Sequence, residues 1–293
     1  MSYQFYNAVE LKNICKKENM SISQVMISRE VENSGRSRDE IISEMSESIE
    51  VMKSSIQKGI SSKNVSMGGL LNGTGLKLWD YAENNEPLSG KSHFEIVAKA
   101  MAVLEVNASM GKVVAAPTAG SCGILPATII TVAKQRNISN DLIINAMFNA
   151  SAIGYLIAHN ATVSGAEGGC QAETGAASAM AASALVEMMG GTMEQCLSAA
   201  AFTLKNIMGL VCDPIAGLVE CPCQKRNGIG ASNALISADM AMAGLMTIIP
   251  FDEVVEAMYI VGKVMSPSLK ETAQGGIAAT ETGKRIEGKI FGK

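Results

Sequence analysis

The chain has 293 residues, 47% of them hydrophobic, and its 24 basic and 28 acidic side chains give a net charge of −4. This length and composition suffice for a full hydrophobic core, and so balanced a charge argues against nucleic-acid binding. The first residues lack the apolar core of a signal peptide, and the apolar stretch 142–158 is interrupted by asparagine and serine. We therefore expect a cytoplasmic protein that does not span a membrane.

Helices dominate the predicted secondary structure. Capping-box sequences begin at Ser37, Ser92 and Thr192, and each has Glu or Gln three residues later. After the first box, isoleucine and methionine recur at helical spacing from Ile41 to Ile56. Alternating strand patterns are scarce, and VVAAP at 113–117 is the best strand candidate. These patterns predict an all-α fold.

Composition divides the chain into two parts. Residues 1–60 carry much of the charge and predict an N-terminal segment of amphipathic surface helices. A polar, glycine-rich loop follows at 61–75, and from about residue 92 the chain is rich in Ala, Gly and Met. We expect residues 61–293 to form the main domain, continuous with the first segment in one unit.

Four segments interrupt the helical pattern, and each combines Gly or Pro with polar residues. They are 116–127, 164–175, 209–227 and 227–234. Loops on a rigid scaffold are frequent positions for functional sites, and three of these four carry cysteine. We therefore expect the functional site where these segments meet.

Cysteine chemistry alone leaves the kind of site open. Clustered thiolates select zinc, copper(I) or iron–sulfur clusters. The close pair Cys221 and Cys223 is spaced too tightly for a zinc finger, and a four-cysteine ferredoxin run is absent from the sequence. From the spacing, a metal site and a merely structural loop remain equal alternatives.

These four segments, in three stretches of sequence, together resemble a known family. The stretches are APTAGSCGILPA, SGAEGGCQAETGAASAMAA and GLVCDPIAGLVECPCQKRNGIGASNA. They are similar to the catalytic part of the bacterial iron–sulfur-dependent L-serine dehydratases, most of all to the separate alpha subunit of the two-subunit type. The resemblance covers roughly residues 60–290. It implies an all-helical lyase that converts L-serine to pyruvate and ammonia, and a hetero-oligomer with a separate beta subunit.

The resemblance also implies a [4Fe-4S] cluster held by Cys170, Cys212 and Cys223. With three protein thiolates, one iron stays open and can act as a Lewis acid on the substrate hydroxyl. Cys221, beside the third ligand, is either an alternative ligand or a neighbouring thiol.

Candidate substrate-binding and catalytic residues lie on the same loops. Thr118, Ser121 and Ser164 are potential hydrogen-bond donors to the substrate carboxylate. Arg226 could bind that carboxylate or offset the charge of the cluster.

The sequence does not identify a single base that removes the α-proton. His159 is the first candidate, and Glu167 and Cys122 are its rivals.

Two other functions remain as alternatives. A related cysteine desulfidase would keep the cluster and expel sulfide. A zinc-stabilised helical module without catalytic activity would instead bind protein partners.

Overall fold

In the computed structural model, residues 2–292 are described, and this stretch folds into thirteen α-helices without a β-strand. The all-α prediction is confirmed. The helices are α1 (Ala8–Glu18), α2 (Ile22–Ser34), α3 (Arg38–Ser61), α4 (Thr74–Asn84), α5 (Lys91–Ala108), α6 (Ile124–Arg136), α7 (Asn140–Asn160), α8 (Gly165–Gly168), α9 (Cys170–Met188), α10 (Met193–Asn206), α11 (Cys223–Met242), α12 (Phe251–Val264) and α13 (Glu281–Phe291).

Two of the three predicted capping boxes are confirmed. Ser37 caps α3 and Thr192 caps α10, each with the reciprocal bond from the side chain three residues later. The box predicted at Ser92 is wrong, because α5 begins at Lys91, after Gly90. The Glu95 carboxylate accepts hydrogen bonds from the side chains of Lys99 and Gln135 and so does not cap the helix.

Two local predictions are wrong, one of a strand and one of a loop. Residues 113–117 form no strand, and the backbone bridges among residues 2–292 are isolated pairs. Residues 227–234 are not a loop but part of α11. A Cβ at Gly230 would lie 2.5 Å from Ile124 Cδ1, so this glycine serves a close helix contact.

Helix α9 lies at the centre of the fold, where it packs against α6, α7, α10 and α11. Nine of its nineteen residues are alanine or serine, and nearly all of its side chains are buried. Such small side chains let neighbouring helices approach closely, so the helices that start at the cysteine loops are held firmly.

The N-terminal helices contribute to the same core as the rest of the chain. Leu11, Ile22 and Ile49 belong to one buried cluster with Ile153 and Val186. A domain boundary after residue 60 stays a prediction.

One helix, α7, has the length and composition of a membrane span, with a mean hydropathy of 1.4. Of its apolar window, 61% is buried inside the protein. Core helices commonly pass this test, and α7 contains the apolar stretch 142–158, for which no membrane span is predicted from the sequence.

A buried carboxylate caps α4 in place of a side chain of its own. The Glu105 carboxylate on α5 is fully buried and accepts hydrogen bonds from the backbone N–H groups of Thr74 (2.9 Å) and Gly75 (2.5 Å). Because α4 has no other side-chain cap, this contact fixes the first turn of α4 on α5.

We predict that Glu105→Ala lowers the free energy of unfolding by about 2–4 kcal/mol, since it leaves two helix donors without an acceptor. The matched control is Glu50→Ala, which removes a largely exposed carboxylate paired with Lys53 and should cost less than about 0.5 kcal/mol. Urea denaturation measures both. Equal losses for the two variants would contradict the capping role.

Candidate active site

Three cysteines from separate parts of the sequence meet in one buried place. Cys170 opens α9, Cys223 opens α11, and Cys212 lies in the loop between α10 and α11. They are 4%, 7% and 2% exposed, respectively. Burial raises the pKa of Cys212 and of Cys223, and the nearby Cys170 raises both further. The Gln171 N–H donates to the Leu210 carbonyl (2.9 Å), and Arg226 on α11 contacts Val211 and Asp213 on either side of Cys212, so the three thiols lie close together. Two of them are at helix N-termini, which favour negative charge.

Arg226 and Asp213 form hydrogen bonds that hold the loop around Cys212 in place. The Arg226 guanidinium donates to the Val211 carbonyl (2.8 Å) and to the Asp213 carboxylate (2.7 Å), which also accepts from the Ile277 N–H (2.8 Å). Burial raises the pKa of the Cys170 thiol, and the nearby guanidinium opposes that rise. Arg226 therefore stands beside the thiols while two of its donors hold the loop.

The C-terminal region pins the segment that carries Cys212. The Cys212 N–H donates to the Leu269 carbonyl (2.8 Å), and the Glu271 N–H donates to the Cys212 carbonyl (2.7 Å). At Gly276, φ is +57° and a Cβ would lie 2.1 Å from the Asp213 carboxylate. Glycine is therefore required where the C-terminal region passes over Asp213.

Asn227 joins the first cysteine-containing loop to α11. Its side-chain oxygen accepts from the Gly123 N–H (2.9 Å), and its amide donates to the carbonyls of Gly120 (2.8 Å) and Cys223 (3.0 Å). Asn227 is fully buried. The start of α6 is thus brought to the same place as the starts of α9 and α11.

The predicted substrate-binding hydroxyls lie at different distances from this place. The Thr118 hydroxyl lies 3.0 Å from that of Ser121, and Ser121 is fully buried. Ser164 is half-buried and precedes Gly165, where a Cβ would lie 3.1 Å from Cys212 Sγ. Ser164 therefore borders the cysteine site, while the hydroxyls of Thr118 and Ser121 contact each other. Their roles toward a substrate stay predictions.

The sequence-predicted bases are not gathered around the thiols. His159 is exposed at the end of α7, with its ring centroid 5.5 Å from that of Tyr155 and 5.2 Å from that of Tyr6. Glu167 is exposed and accepts a hydrogen bond from Thr162 (2.6 Å). The structure does not bring either residue together with the three cysteines, and their catalytic roles stay predictions.

Cys122 packs in the same buried cluster as Cys223. Burial raises the pKa of Cys122 to about 12. Its thiol therefore stays protonated near neutral pH and is a poor proton acceptor.

Glu173 is a site residue that sequence reasoning missed. It lies three residues after Cys170 on α9, so both side chains share one face of the helix. A Cβ at Gly165 would lie 2.7 Å from the Glu173 carboxylate and 3.1 Å from Cys212 Sγ. In the sequence, the three-residue spacing of Cys170 and Glu173 in GGCQAE is the signal that could have placed both residues at one site.

Cys221 differs from Cys170, Cys212 and Cys223 in its exposure to solvent. Cys221 is half-exposed, and its backbone carbonyl accepts from the Ile215 N–H (2.9 Å). Its peptide bond to Pro222 is cis, as is the bond between Ala116 and Pro117.

Within residues 2–292, no group of three or more His, Cys, Asp or Glu side chains could hold a single metal ion. Each thiolate of an iron–sulfur cluster binds a different iron, and its ligands need not converge on one point.

The fold and the site define a helical protein with a buried thiol centre at helix N-termini, and comparisons with known proteins identify its family. A family described as "Serine dehydratase alpha chain" matches residues 17–278. The chain is 50% identical over 288 residues to a probable L-serine dehydratase alpha chain from Bacillus subtilis, covering 98% of this chain and 96% of that protein. It is 45% identical over 279 residues to the L-serine dehydratase alpha chain of Peptoniphilus asaccharolyticus, covering 95% and 96%.

A longer relative matches as well. L-serine dehydratase TdcG from Escherichia coli is 38% identical over 284 residues, covering 94% of this chain but 62% of that protein. This chain belongs to the serine dehydratase alpha chain family, which confirms the resemblance read from the cysteine motifs.

We predict that cysteine labelling of the native protein separates exposed from buried thiols. Burial raises the pKa of Cys15 and of Cys122 to about 12, so their thiolate fraction at pH 7 is on the order of 10⁻⁵. Cys221, half-exposed, should react with iodoacetamide first, and mass spectrometry after digestion identifies the labelled site. Labelling of Cys15 or Cys122 as fast as Cys221 would contradict the burial described here, and labelling in urea serves as the control.

Proposed function

We propose that this chain is the cluster-bearing subunit of an enzyme that converts L-serine to pyruvate and ammonia. The observation that carries the proposal is the meeting of Cys170, Cys212 and Cys223 at the starts of α9 and α11, in a chain of this family. The donor set consists of buried thiols alone, which is the ligand type that iron–sulfur clusters require.

The residues that would hold a [4Fe-4S] cluster are those three cysteines. When bound, such a cluster would supply a Lewis acid for the substrate hydroxyl, through an iron without a protein thiolate. The space left by Gly165 beside Cys212 Sγ supports this assignment, because any larger residue would fill it.

The protein's own groups would orient the substrate and neutralise charge. The N-termini of α9 and α11 favour anions, and Arg226 adds a fixed positive charge beside Cys170. Loss of the α-proton and of the hydroxyl group turns L-serine into 2-aminoacrylate and water. The aminoacrylate tautomerises to an imine, and one water hydrolyses that imine to pyruvate and ammonia.

A separate beta subunit forms part of the proposal. Two similar proteins are called alpha chains and are covered over 96% of their length, whereas the longer protein TdcG is covered over 62%. A second chain would supply what the longer protein carries in addition, making the enzyme a hetero-oligomer. We place the enzyme in the cytoplasm, where reducing conditions keep thiols free.

The direct test is anaerobic purification with the beta subunit, followed by iron and sulfide analysis and assays with L-serine and L-cysteine. We expect about four irons per alpha chain, pyruvate from L-serine, and loss of activity after exposure to air. A zinc-containing protein that leaves L-serine unchanged would overturn the proposal. Release of sulfide from L-cysteine without reaction of L-serine would favour the desulfidase instead.

We further predict that Cys170→Ser, Cys212→Ser and Cys223→Ser each remove most of the bound iron and lower activity at least roughly 100-fold, because each deletes a proposed ligand. The matched control is Cys15→Ala, which removes a buried thiol on α1. It should keep wild-type iron content. Iron analysis and visible absorbance measure the result, and a Cys→Ser variant with full iron would remove that cysteine from the ligand set.

A further inference from the structure

Glu173 projects from the first turn of α9 into the region that the three cysteines border. It is half-buried, whereas the residues on either side of it in α9 are fully buried. Its carboxylate oxygens lie 2.7 Å from a Cβ position at Gly165 and 3.2 Å from one at Gly120. Glycine at both positions leaves the carboxylate room between two loops of the site.

The other buried carboxylates near the site are fully used by the protein. Glu220 accepts hydrogen bonds from Ser66 Oγ (2.5 Å) and from the backbone N–H groups of Gly68 (2.6 Å) and Leu70 (3.1 Å). Asp213 is paired with Arg226. Each of these acids therefore has a structural role that accounts for its burial.

Glu173 differs from both, because its polar neighbour is the uncharged hydroxyl of Thr118. Among residues 2–292, no Lys, Arg or His forms an ion pair with it. Burial raises its pKa, the nearby Thr118 hydroxyl opposes the rise, and Glu271 adds to it. The charge of Arg226 also opposes the rise, while its guanidinium is hydrogen-bonded to Val211 and Asp213. A half-buried carboxylate without a counter-ion is stabilised by a cation that arrives from outside.

We propose that Glu173 receives the α-ammonium group of the amino-acid substrate. The inference rests on the proposed function for the identity of the substrate, L-serine. An ammonium group donates three charge-assisted hydrogen bonds, and the open carboxylate of Glu173 beside the thiols is the acceptor that the site offers. Glu173 thereby selects amino acids over hydroxy acids of the same length.

The test compares two ligands that differ in the ammonium group. L-serine carries it, and 3-hydroxypropionate keeps the hydroxyl and the carboxylate but lacks it. Binding of both to the anaerobic holoenzyme is followed by the change in visible absorbance, and turnover of L-serine by release of pyruvate. The variants are Glu173→Gln, which keeps the shape but loses the charge, Glu173→Asp, which keeps the charge, and Glu50→Gln on the exposed face of α3 as control.

We expect Glu173→Gln to weaken binding of L-serine and raise its KM roughly 10- to 100-fold, with kcat within about threefold. Binding of 3-hydroxypropionate and the iron content should stay unchanged, and Glu173→Asp should recover part of the loss. A fall in kcat with an unchanged KM would overturn the inference, because Glu173 would then act on a proton in the chemical step. Equal weakening of both ligands, or loss of iron, would also overturn it. If the wild-type enzyme yields no pyruvate, the proposed function itself fails, which is a separate result.

Discussion

The buried pair of Arg226 and Asp213 is the interaction on which the arrangement of the site depends. Arg226 belongs to α11, whose first residue is Cys223, and Asp213 follows Cys212 directly. Their contact therefore fixes the distance between two of the three cysteines. Because Asp213 also accepts the Ile277 N–H, the same carboxylate ties the C-terminal region to the site. A buried pair of this kind costs desolvation, and its value here lies in the geometry that it fixes.

Other buried polar side chains also fix the loops around the site through hydrogen bonds. Asn227 joins the loop before α6 to the start of α11, and Glu220 holds the loop after α3 against the cysteine segment. The helices behind these loops are packed through small residues, with α9 at the centre. The loops are thus anchored at both ends by rigid helices. A site that must hold several thiols in fixed positions requires such support.

The sequence was informative where the signal is local. Capping boxes and helical periodicity located many helices, and the cysteine motifs identified the family. Gly230 was misleading, because glycine is typical both of loops and of close helix contacts, and only the neighbouring Ile124 decides between them. The capping box at Ser92 failed because Lys99 and Gln135 engage its glutamate. The sequence does not predict that Glu173 lacks an ion-pair partner, since this depends on whether Arg226 pairs with Glu173 or with Asp213 in the folded chain.

The central claim is that three cysteines hold a cluster with one iron left open for the substrate. Mössbauer spectroscopy of the anaerobic, iron-57-labelled holoenzyme with and without L-serine tests it most directly. The account predicts that L-serine changes the isomer shift and quadrupole splitting of about one quarter of the iron, because one iron of four lacks a protein thiolate. A spectrum in which L-serine leaves all the iron unchanged would contradict it.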